Sequence, residues 1–278
     1  MRRGTPSYDR DMAGPRRDTR GIVDAHGLFA RVRFRRHAPA AALRPYLEHY
    51  WLIDWDLDEA YETHVVPHPS VNVVFQRSSG GPDHAEVAGI GLELFTRKLE
   101  GRGRVCGVQF RPGGFRPFAP GRTVSTLTGR HEGLREVFPG AAPSVPSAVL
   151  GPESDAERVT ALDGFLLSLG PEPLPDADLA MALVQRVRED RTIRRVDRLA
   201  QAGGTSVRAL QRLFAAQVGV GPKWVILRYR IHEALERAES SGPVDWARLA
   251  AELGYSDQAH LVRDFTATVG VPPTAYAA

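Results

Sequence analysis

The stretch Gly204–Phe214 reads Gly-Thr-Ser-Val-Arg-Ala-Leu-Gln-Arg-Leu-Phe, and Gly254–Phe265 repeats it as Gly-Tyr-Ser-Asp-Gln-Ala-His-Leu-Val-Arg-Asp-Phe. A Leu-Ala pair precedes each copy, and Val-Gly-Val and then a proline follow each. The copies lie 50 residues apart at the glycine and 51 residues apart beyond it, so the second copy holds one extra residue. Self-similarity at this period indicates two copies of one supersecondary unit.

Each copy has the residues of a helix, a tight turn and a second helix. Gly204 and Gly254 can adopt the left-handed conformation that ends a helix. Ser206 and Ser256 follow, and serine is a preferred N-cap because its hydroxyl accepts a backbone N–H bond. The pattern therefore predicts a helix-turn-helix, repeated once.

The second helix of each unit should bury one side and expose the other. Leu210 and Phe214 lie one turn apart, as do Leu261 and Phe265, and we expect these four to be buried. The outer side carries groups that can read base edges, namely Arg208, Gln211 and Arg212 in the first copy and Gln258, His260 and Arg263 in the second. Arginine can donate two bonds to guanine and glutamine can pair with adenine.

Residues from about 190 to 278 resemble the DNA-binding domain of the AraC/XylS transcription regulators, which carries two such motifs. The matching positions are Ser206, Leu210-Gln211-Arg212, Phe214, Gly219, Pro222, Arg230, Leu249-Ala250, Gly254-Tyr255-Ser256-Asp257-Gln258, His260, Arg263, Phe265, Gly270 and Pro273. The resemblance implies that the six outer residues face bases in two successive half-sites. Ala259 and Val262 depart from this chemistry because they carry no hydrogen-bonding groups, so direct readout by the second helix should be thinner.

Other polar residues of this region are candidates for contacts that set position without reading sequence. Ser206, Lys223 and Ser256 are the candidate contacts to the DNA backbone. Arg228 and Arg230 could touch phosphate or pair with acidic neighbours such as Glu233, and we favour the structural role for Arg230.

The predicted helices of the C-terminal region follow from apolar spacing and from prolines. We expect a helix from Pro222 to about Glu239, which would span roughly 27 Å at about 1.5 Å per residue. Such a helix can hold two recognition helices about one DNA turn, ~34 Å, apart on one face of the duplex. The other predicted helices are 178–190, 193–202, 206–218, 244–253 and 256–268.

Composition bounds the class of protein. The chain has 278 residues, 42% hydrophobic and 25% charged, which is ordinary for a soluble globular protein of two domains. One cysteine excludes a disulfide framework or a cysteine-rich zinc site and fits a reducing cytoplasm. The sequence shows no apolar run long enough for a membrane span and no phosphate loop or nucleophile elbow. We therefore expect a cytoplasmic protein that is not an enzyme and needs no cofactor or metal.

The region before the repeat should be mainly β. Short runs rich in β-branched and aromatic residues alternate with Gly/Pro turns, and they predict strands at 28–34, 50–55, 62–66, 71–75 and 105–110. Segments 40–49, 123–138 and 155–169 look helical, and 139–152 looks like a connector. We expect an α+β protein, with a barrel-like β domain before an all-α domain whose two helix-turn-helix motifs are joined by a long helix.

Proline-rich stretches and charge suggest the domain limits. We expect a disordered basic tail at 1–21, an effector-sensing or dimerisation domain at 22–170, a linker at 171–177 and the DNA-binding domain at 178–278. The segment 37–177 holds 12 basic and 18 acidic residues, whereas 178–278 holds 14 basic and 11 acidic residues. An acidic body joined to a basic end fits a sensor joined to a DNA reader.

The front region resembles, less specifically, the N-terminal domain of one subgroup of these regulators. The matching pieces are His49-Tyr50-Trp51, Val66-Pro67-His68, Val71–Phe75 and Gly107–Gly114. In such regulators this half usually senses a small molecule, mediates dimerisation, or does both. Pro67-His68-Pro69 stands where Pro-Asp-Gly is frequent in these regulators, so the resemblance does not extend to this turn.

Some front residues invite other chemistry. His64 and His68 have the spacing of metal ligands on a helix, but Pro67 and Pro69 disfavour a helix there. Cys106 is either a small buried hydrophobe or a thiol that accepts an alkyl group. A ligand pocket and a plain β core are equally compatible with the large aromatic residues of this region, which are Trp51, Trp55, Phe75, Phe110 and Phe115.

These observations predict a sequence-specific DNA-binding transcription regulator, activator or repressor, whose front domain responds to a small molecule. Its partner would be double-stranded promoter DNA. The resemblance adds a small-molecule effector, RNA polymerase and a second copy of the chain as candidate partners. Two alternatives stay open: a ligand-binding or alkyl-accepting protein centred on Cys106, in which DNA binding is secondary, and a DNA-bound scaffold without an effector.

Overall fold

The computed structural model describes residues 21–238 and 244–276. In its front half, seven strands form one antiparallel sheet in the order β1-β3-β6-β4-β5-β7, and β2 pairs with β3. The strands are β1 Ile22–Val23, β2 Arg33–His37, β3 Leu47–Val65, β4 Asn72–Ser78, β5 His84–Ala88, β6 Phe95–Phe110 and β7 His131–Gly133. Of the predicted tail 1–21, residues 1–20 lie outside the described residues.

The long strands β3 and β6 form the backbone of the sheet. Trp51 lies opposite Gly107, and Trp55 lies opposite Gly103. A Cβ atom on Gly107 would lie 1.9 Å from Trp51 Cε2, and one on Gly103 would lie 2.0 Å from Trp55 Cζ2. Each indole therefore occupies the space that a missing side chain leaves on the neighbouring strand, which is why glycine is needed at both places.

Short helices complete the front half. They are α1 Ala25–Arg31, α2 Leu134–Val137, α3 Val145–Leu150 and α4 Asp155–Ser168, with 3-10 turns at Arg116–Phe118 and Val124–Thr126. The prediction of a helix over 155–169 is confirmed.

Three other predictions for the front half were wrong. The predicted strand 28–34 is α1 followed by β2, because the Asp24 carboxylate accepts the Gly27 N–H and caps a helix there. The predicted helix 40–49 is a run of turns that enters β3 at Leu47. The predicted helix 123–138 is a 3-10 turn, β7 and α2, because residues 131–133 pair with β5. The connector 139–152 contains α3.

The back half is all helical, as predicted. Its helices are α5 Pro175–Glu189, α6 Val196–Ala202, α7 Val207–Gln217, α8 Pro222–Ala238, α9 Trp246–Leu253, α10 Gln258–Val269 and α11 Pro273–Tyr276. α8 spans 17 residues, or roughly 25 Å, and joins the two motifs. The predicted end of this helix at Glu239 lies outside the described residues. The α+β class and the order of its two parts are confirmed.

Two apolar clusters tie the halves together. The larger one runs from the sheet, through residues such as Phe75 and Phe110, into the first motif at Leu210 and Phe214. The second cluster joins the second motif to Val66 of the front half. Each helix-turn-helix therefore packs its apolar side into a core to which the front half contributes.

Candidate nucleic-acid interface

The two turns of the repeat have the same backbone geometry. Gly204 and Gly254 have φ values of +60° and +76°, the left-handed conformation that the sequence predicts for both. The next residue in each copy donates its N–H to the Leu-Ala alanine, with N–O distances of 3.0 Å from Thr205 to Ala200 and 2.9 Å from Tyr255 to Ala250.

The caps differ by one residue. Ser206 caps α7, as predicted, by accepting the Ala209 N–H at 3.2 Å. The prediction that Ser256 caps α10 was wrong, since Asp257 accepts the His260 N–H at 2.7 Å and the Ser256 hydroxyl donates to Asp257 at 3.0 Å. The cause is the extra residue of the second turn. The 51-residue offset of the repeat already pairs Ser206 with Asp257, so the sequence could have identified Asp257 as the cap of α10.

The buried sides of α7 and α10 match the prediction. Leu210 and Phe214 are fully buried, and so are Leu261 and Phe265. In each helix these residues are the fourth and eighth after the cap, so the two helices are in the same register. Their outer faces can therefore be compared position by position.

The outer face of α7 offers three polar side chains to solvent. Arg208, Gln211 and Arg212 are exposed. Within residues 21–238 and 244–276, no hydrogen bond or ion pair engages these three side chains. One helical face thus presents two guanidinium groups and an amide whose donors are available to a duplex.

The outer face of α10 is less uniform. Gln258 and Arg263 are exposed. The His260 ring is instead held within the protein: Nδ1 lies 3.2 Å from Ser256 Oγ, and Nε2 lies 3.7 Å from Asp264. The ring also meets Tyr255 edge-on with centroids 5.1 Å apart. These contacts orient His260 along the helix.

The candidate backbone contacts lie at helix starts. Ser206 and Ser256 precede the N-termini of α7 and α10, and Lys223 is in the first turn of α8; all three are exposed. Free N–H groups and the helix dipole favour anions at such places. At α10 the Asp257 carboxylate already occupies this position, and the His260 N–H and the Ser256 hydroxyl lower its pKa.

Arg228 and Arg230 have internal partners. Arg230 donates to the Arg194 carbonyl at 2.7 Å, which confirms its structural role. Arg228 is buried, donates to the Leu92 carbonyl at 3.0 Å, and lies 4.3 Å from the centre of the Trp224 ring. Burial lowers the pKa of Arg228 to about 10. The expected pairing of Arg228 with phosphate or with Glu233 is thus replaced by a contact with the front half.

Further contacts join the front half to the helical half, and sequence reasoning missed them. The Thr128 hydroxyl donates to the Gly219 carbonyl at 2.8 Å, just beyond the end of α7. His68 stacks on His232 of α8 with ring centroids 4.0 Å apart. Arg188 of α5 forms a 2.8 Å ion pair with Glu48 of β3. Only tertiary folding brings these pairs together, because each joins residues far apart in the chain.

The five aromatic residues proposed for a pocket are divided between two cores. Phe75, Phe110 and Phe115 are fully buried in the larger cluster, where Phe110 meets Phe115 edge-on at 5.2 Å. Trp51 and Trp55 belong to a separate cluster that includes Val105 and α1. The five therefore do not line one shared cavity among the described residues. Trp55 borders a cleft of about 650 Å³, together with Arg102 and Glu153.

Cys106 and the two histidines have structural surroundings. Cys106 is completely buried in β6, and burial raises the pKa of its thiol to about 11. At neutral pH it is therefore a protonated thiol without access to solvent, which disfavours alkyl acceptance. His64 Nδ1 lies 3.0 Å from Thr96 Oγ1 on the sheet, while His68 stacks against α8.

Comparison with known families agrees with the repeated motif. Residues 199–278 match a family described as a helix-turn-helix domain. The C-terminal region is an AraC-type helix-turn-helix domain. This domain supports a role for the chain in DNA binding and transcription regulation. Residues 35–132, which cover most of the sheet, match a domain of unknown function, DUF6597. No curated protein matches the chain by sequence.

Solved structures show weaker similarity. ToxT from Vibrio cholerae is 10% identical over 92% of this chain and 98% of its own, with a TM-score of 0.39. ToxT with a bound unsaturated fatty acid is 13% identical over 88% of this chain and 94% of its own, with a TM-score of 0.38. The C-terminal domain of AraT, a response regulator from Geobacillus stearothermophilus, is 21% identical over 34% of this chain and 83% of its own, with a TM-score of 0.31. Because these scores are low, the assignment rests on the domain match.

Neither a membrane-spanning helix nor a metal-binding cluster occurs among the residues that the structure describes. No helix there is long and apolar enough to cross a membrane. Among the same residues, no group of three or more His, Cys, Asp or Glu side chains could hold a metal ion.

Proposed function

We propose that this protein binds promoter DNA sequence-specifically by placing α7 and α10 in two consecutive major-groove segments. The observation that carries the proposal is the matched pair of recognition helices in identical register. Both follow the same left-handed turn, both bury the same two positions, and both turn an arginine outward at the sixth residue after the cap, Arg212 in α7 and Arg263 in α10. Two equivalent helices joined by a rigid helix suit two half-sites on one face of a duplex.

The proposed base contacts follow from side-chain chemistry. Arg208, Gln211 and Arg212 would read the first half-site, and Gln258 and Arg263 the second. A good bidentate contact discriminates against a wrong base by about 1–3 kcal/mol. His260 has the weakest support as a base reader because its ring is engaged with Ser256 and Asp264. Ser206, Lys223 and Ser256 would position the protein on the backbone.

We further propose that a small molecule bound to residues 22–170 controls DNA binding, with residues 178–278 as the reader. Support comes from the direct contacts of front-half loops with the end of the first motif and with α8, the helix that joins the two motifs. Thr128 reaches the end of α7, and Leu92 and His68 contact α8 between the motifs. A ligand that moved these loops would change how the two recognition helices are presented. The 650 Å³ cleft beside Trp55 is the candidate binding place, since all its lining residues belong to the front half.

Binding-site selection from random-sequence duplexes tests the DNA-reading proposal. Purified full-length protein should enrich one site, whereas Arg212→Ala and Arg263→Ala should each lose preference at a different part of it. Glu157→Ala, on the exposed surface of α4, is the matched control and should select the unchanged site. Binding that depends on salt and enriches no sequence would contradict the proposal, since phosphate contacts alone give that behaviour.

Thermal-shift screening of the full chain tests the effector proposal. The full chain is required because the front half shares its core with the first motif. A ligand present at 100 times its Kd should add about 2.7 kcal/mol to the free energy of unfolding and raise the melting temperature. A ligand that raises it without altering the affinity for the selected site would contradict control through the front half.

A further inference from the structure

The outer face of α10 is apolar at two positions where α7 is polar. The second, fifth and sixth residues after the cap Asp257 are Ala259, Val262 and Arg263. The same positions after Ser206 are occupied by Arg208, Gln211 and Arg212. Of the three equivalent positions in α10, only the sixth keeps a side chain that can donate hydrogen bonds to a base.

The two apolar side chains are outside the core of the motif. Ala259 is exposed and Val262 is half-buried. The core is built instead by Leu261, Phe265 and Val269, which are buried on the other side of α10. Because residues three apart lie one above the other on a helix, Ala259 and Val262 form a continuous apolar strip beside the Arg263 side chain.

The chemistry of the major groove offers one apolar partner for such a strip. Base edges there present hydrogen-bond donors and acceptors, and thymine adds its C5-methyl group. Small aliphatic side chains suit this methyl, since removing apolar surface from water is favourable in proportion to the area buried. A polar base edge facing Val262 would instead lose its hydrogen bonds to water without replacement.

We propose that α10 reads thymine methyl groups through Ala259 and Val262, next to a guanine contact from Arg263. The inference rests on the proposed DNA-reading function and names the specificity of the second helix. The first half-site is then read by hydrogen bonds, and the second by methyl contacts as well as hydrogen bonds. The two half-sites accordingly differ in sequence, although the motifs that read them are repeats.

Deoxyuridine substitution tests the inference, because it removes only the methyl group from thymine. A site is first selected with full-length protein, and each thymine of the half-site read by α10 is then replaced singly by deoxyuridine. Affinity should fall about four-fold at each contacted position, the value expected for burying one methyl group. The same change in the half-site read by α7 should have little effect.

Val262→Ala tests the assignment to a residue. At the position that Val262 contacts, this variant should discriminate less between thymine and deoxyuridine than the wild type does, whereas Arg212→Ala should weaken binding yet keep the difference. Equal affinity of the wild-type protein for thymine and deoxyuridine throughout the second half-site would overturn the inference and leave the regulator function intact. A full thymine preference in Val262→Ala would likewise overturn it. If no sequence is selected at all, the DNA-reading proposal fails first and this inference with it.

Discussion

Substituting the two turn glycines by alanine separates backbone strain from packing. Gly204 and Gly254 have almost the same left-handed backbone, but their surroundings differ. A Cβ atom on Gly204 would meet nothing within 4 Å, whereas one on Gly254 would lie 2.3 Å from Arg194 Cδ and 2.7 Å from its Nε. The pair therefore forms a matched comparison within one chain.

The expected costs follow from these distances. The left-handed conformation costs alanine about 1–2 kcal/mol at either position. At Gly254 the Arg194 side chain must also move, and it then loses the 2.8 Å hydrogen bond that its Nη2 donates to the Glu252 carbonyl. That bond is worth about 1 kcal/mol. Gly254→Ala should thus lower the free energy of unfolding by roughly 2–3 kcal/mol, and Gly204→Ala by about 1–2 kcal/mol.

Urea denaturation of the full chain, followed by circular dichroism, measures both costs. Arg194→Ala supplies the control, since it removes the side chain that the new methyl group would displace. In that background Gly254→Ala should cost no more than Gly204→Ala does. If the cost of Gly254→Ala is unchanged by Arg194→Ala, the argument from the Arg194 contact is refuted. Equal costs of the two single substitutions would refute it as well.

Three further outcomes are expected. Ser206→Ala should lower the free energy of unfolding by about 1 kcal/mol, because α7 loses its cap. Ser256→Ala should leave the urea midpoint almost unchanged, whereas Asp257→Ala should lower it. A larger effect of Ser256→Ala than of Asp257→Ala would contradict the assigned cap of α10. Iodoacetamide at pH 7 should leave Cys106 unmodified in folded protein and modify it in urea, because burial raises the pKa of its thiol to about 11. Mass spectrometry measures the modification. Rapid alkylation of Cys106 in folded protein would contradict its burial. The Arg35 guanidinium lowers the pKa of Asp155 to about 2, below the ordinary value of 3.8, so the stabilising contribution of Asp155 should be present above pH 4 and disappear as the pH falls towards 2. Asp155→Asn should reduce the pH dependence of the urea midpoint between pH 4 and 2. A pH dependence that this substitution leaves unchanged would count against the ion pair.

The repeated motif was predictable because its structure depends on local sequence. A glycine that tolerates positive φ, a capping residue, and apolar residues one turn apart specify each unit within about 20 residues. The one error there, the cap of α10, came from pairing Ser256 with Ser206 although the second turn is one residue longer. The repeat spacing places Asp257 at the position of Ser206, and the structure follows that spacing.

The front half was less predictable because strand pairing is not local. Residues 131–133 become a strand because β5 offers an edge to them, and nothing in Thr123–Phe138 itself carries that information. The large aromatic residues were compatible with a ligand pocket or with a plain β core, and composition alone did not decide between the two. In the structure, the alternation of side chains along β3 and β6 places Trp51 and Trp55 on one side of the sheet and Phe110 on the other.

The sequence by itself determined the two helix-turn-helix units, their buried residues, and the Arg/Gln face of α7, since backbone conformation and helical period set these within each unit. Tertiary structure decided how the units meet the front half, because the contacts of Thr128 with Gly219, Arg228 with Leu92 and His68 with His232 join segments more than 90 residues apart. It also decided which polar residues remain available to DNA: folding engages the His260 ring with Ser256 and Asp264, and leaves Arg212 exposed.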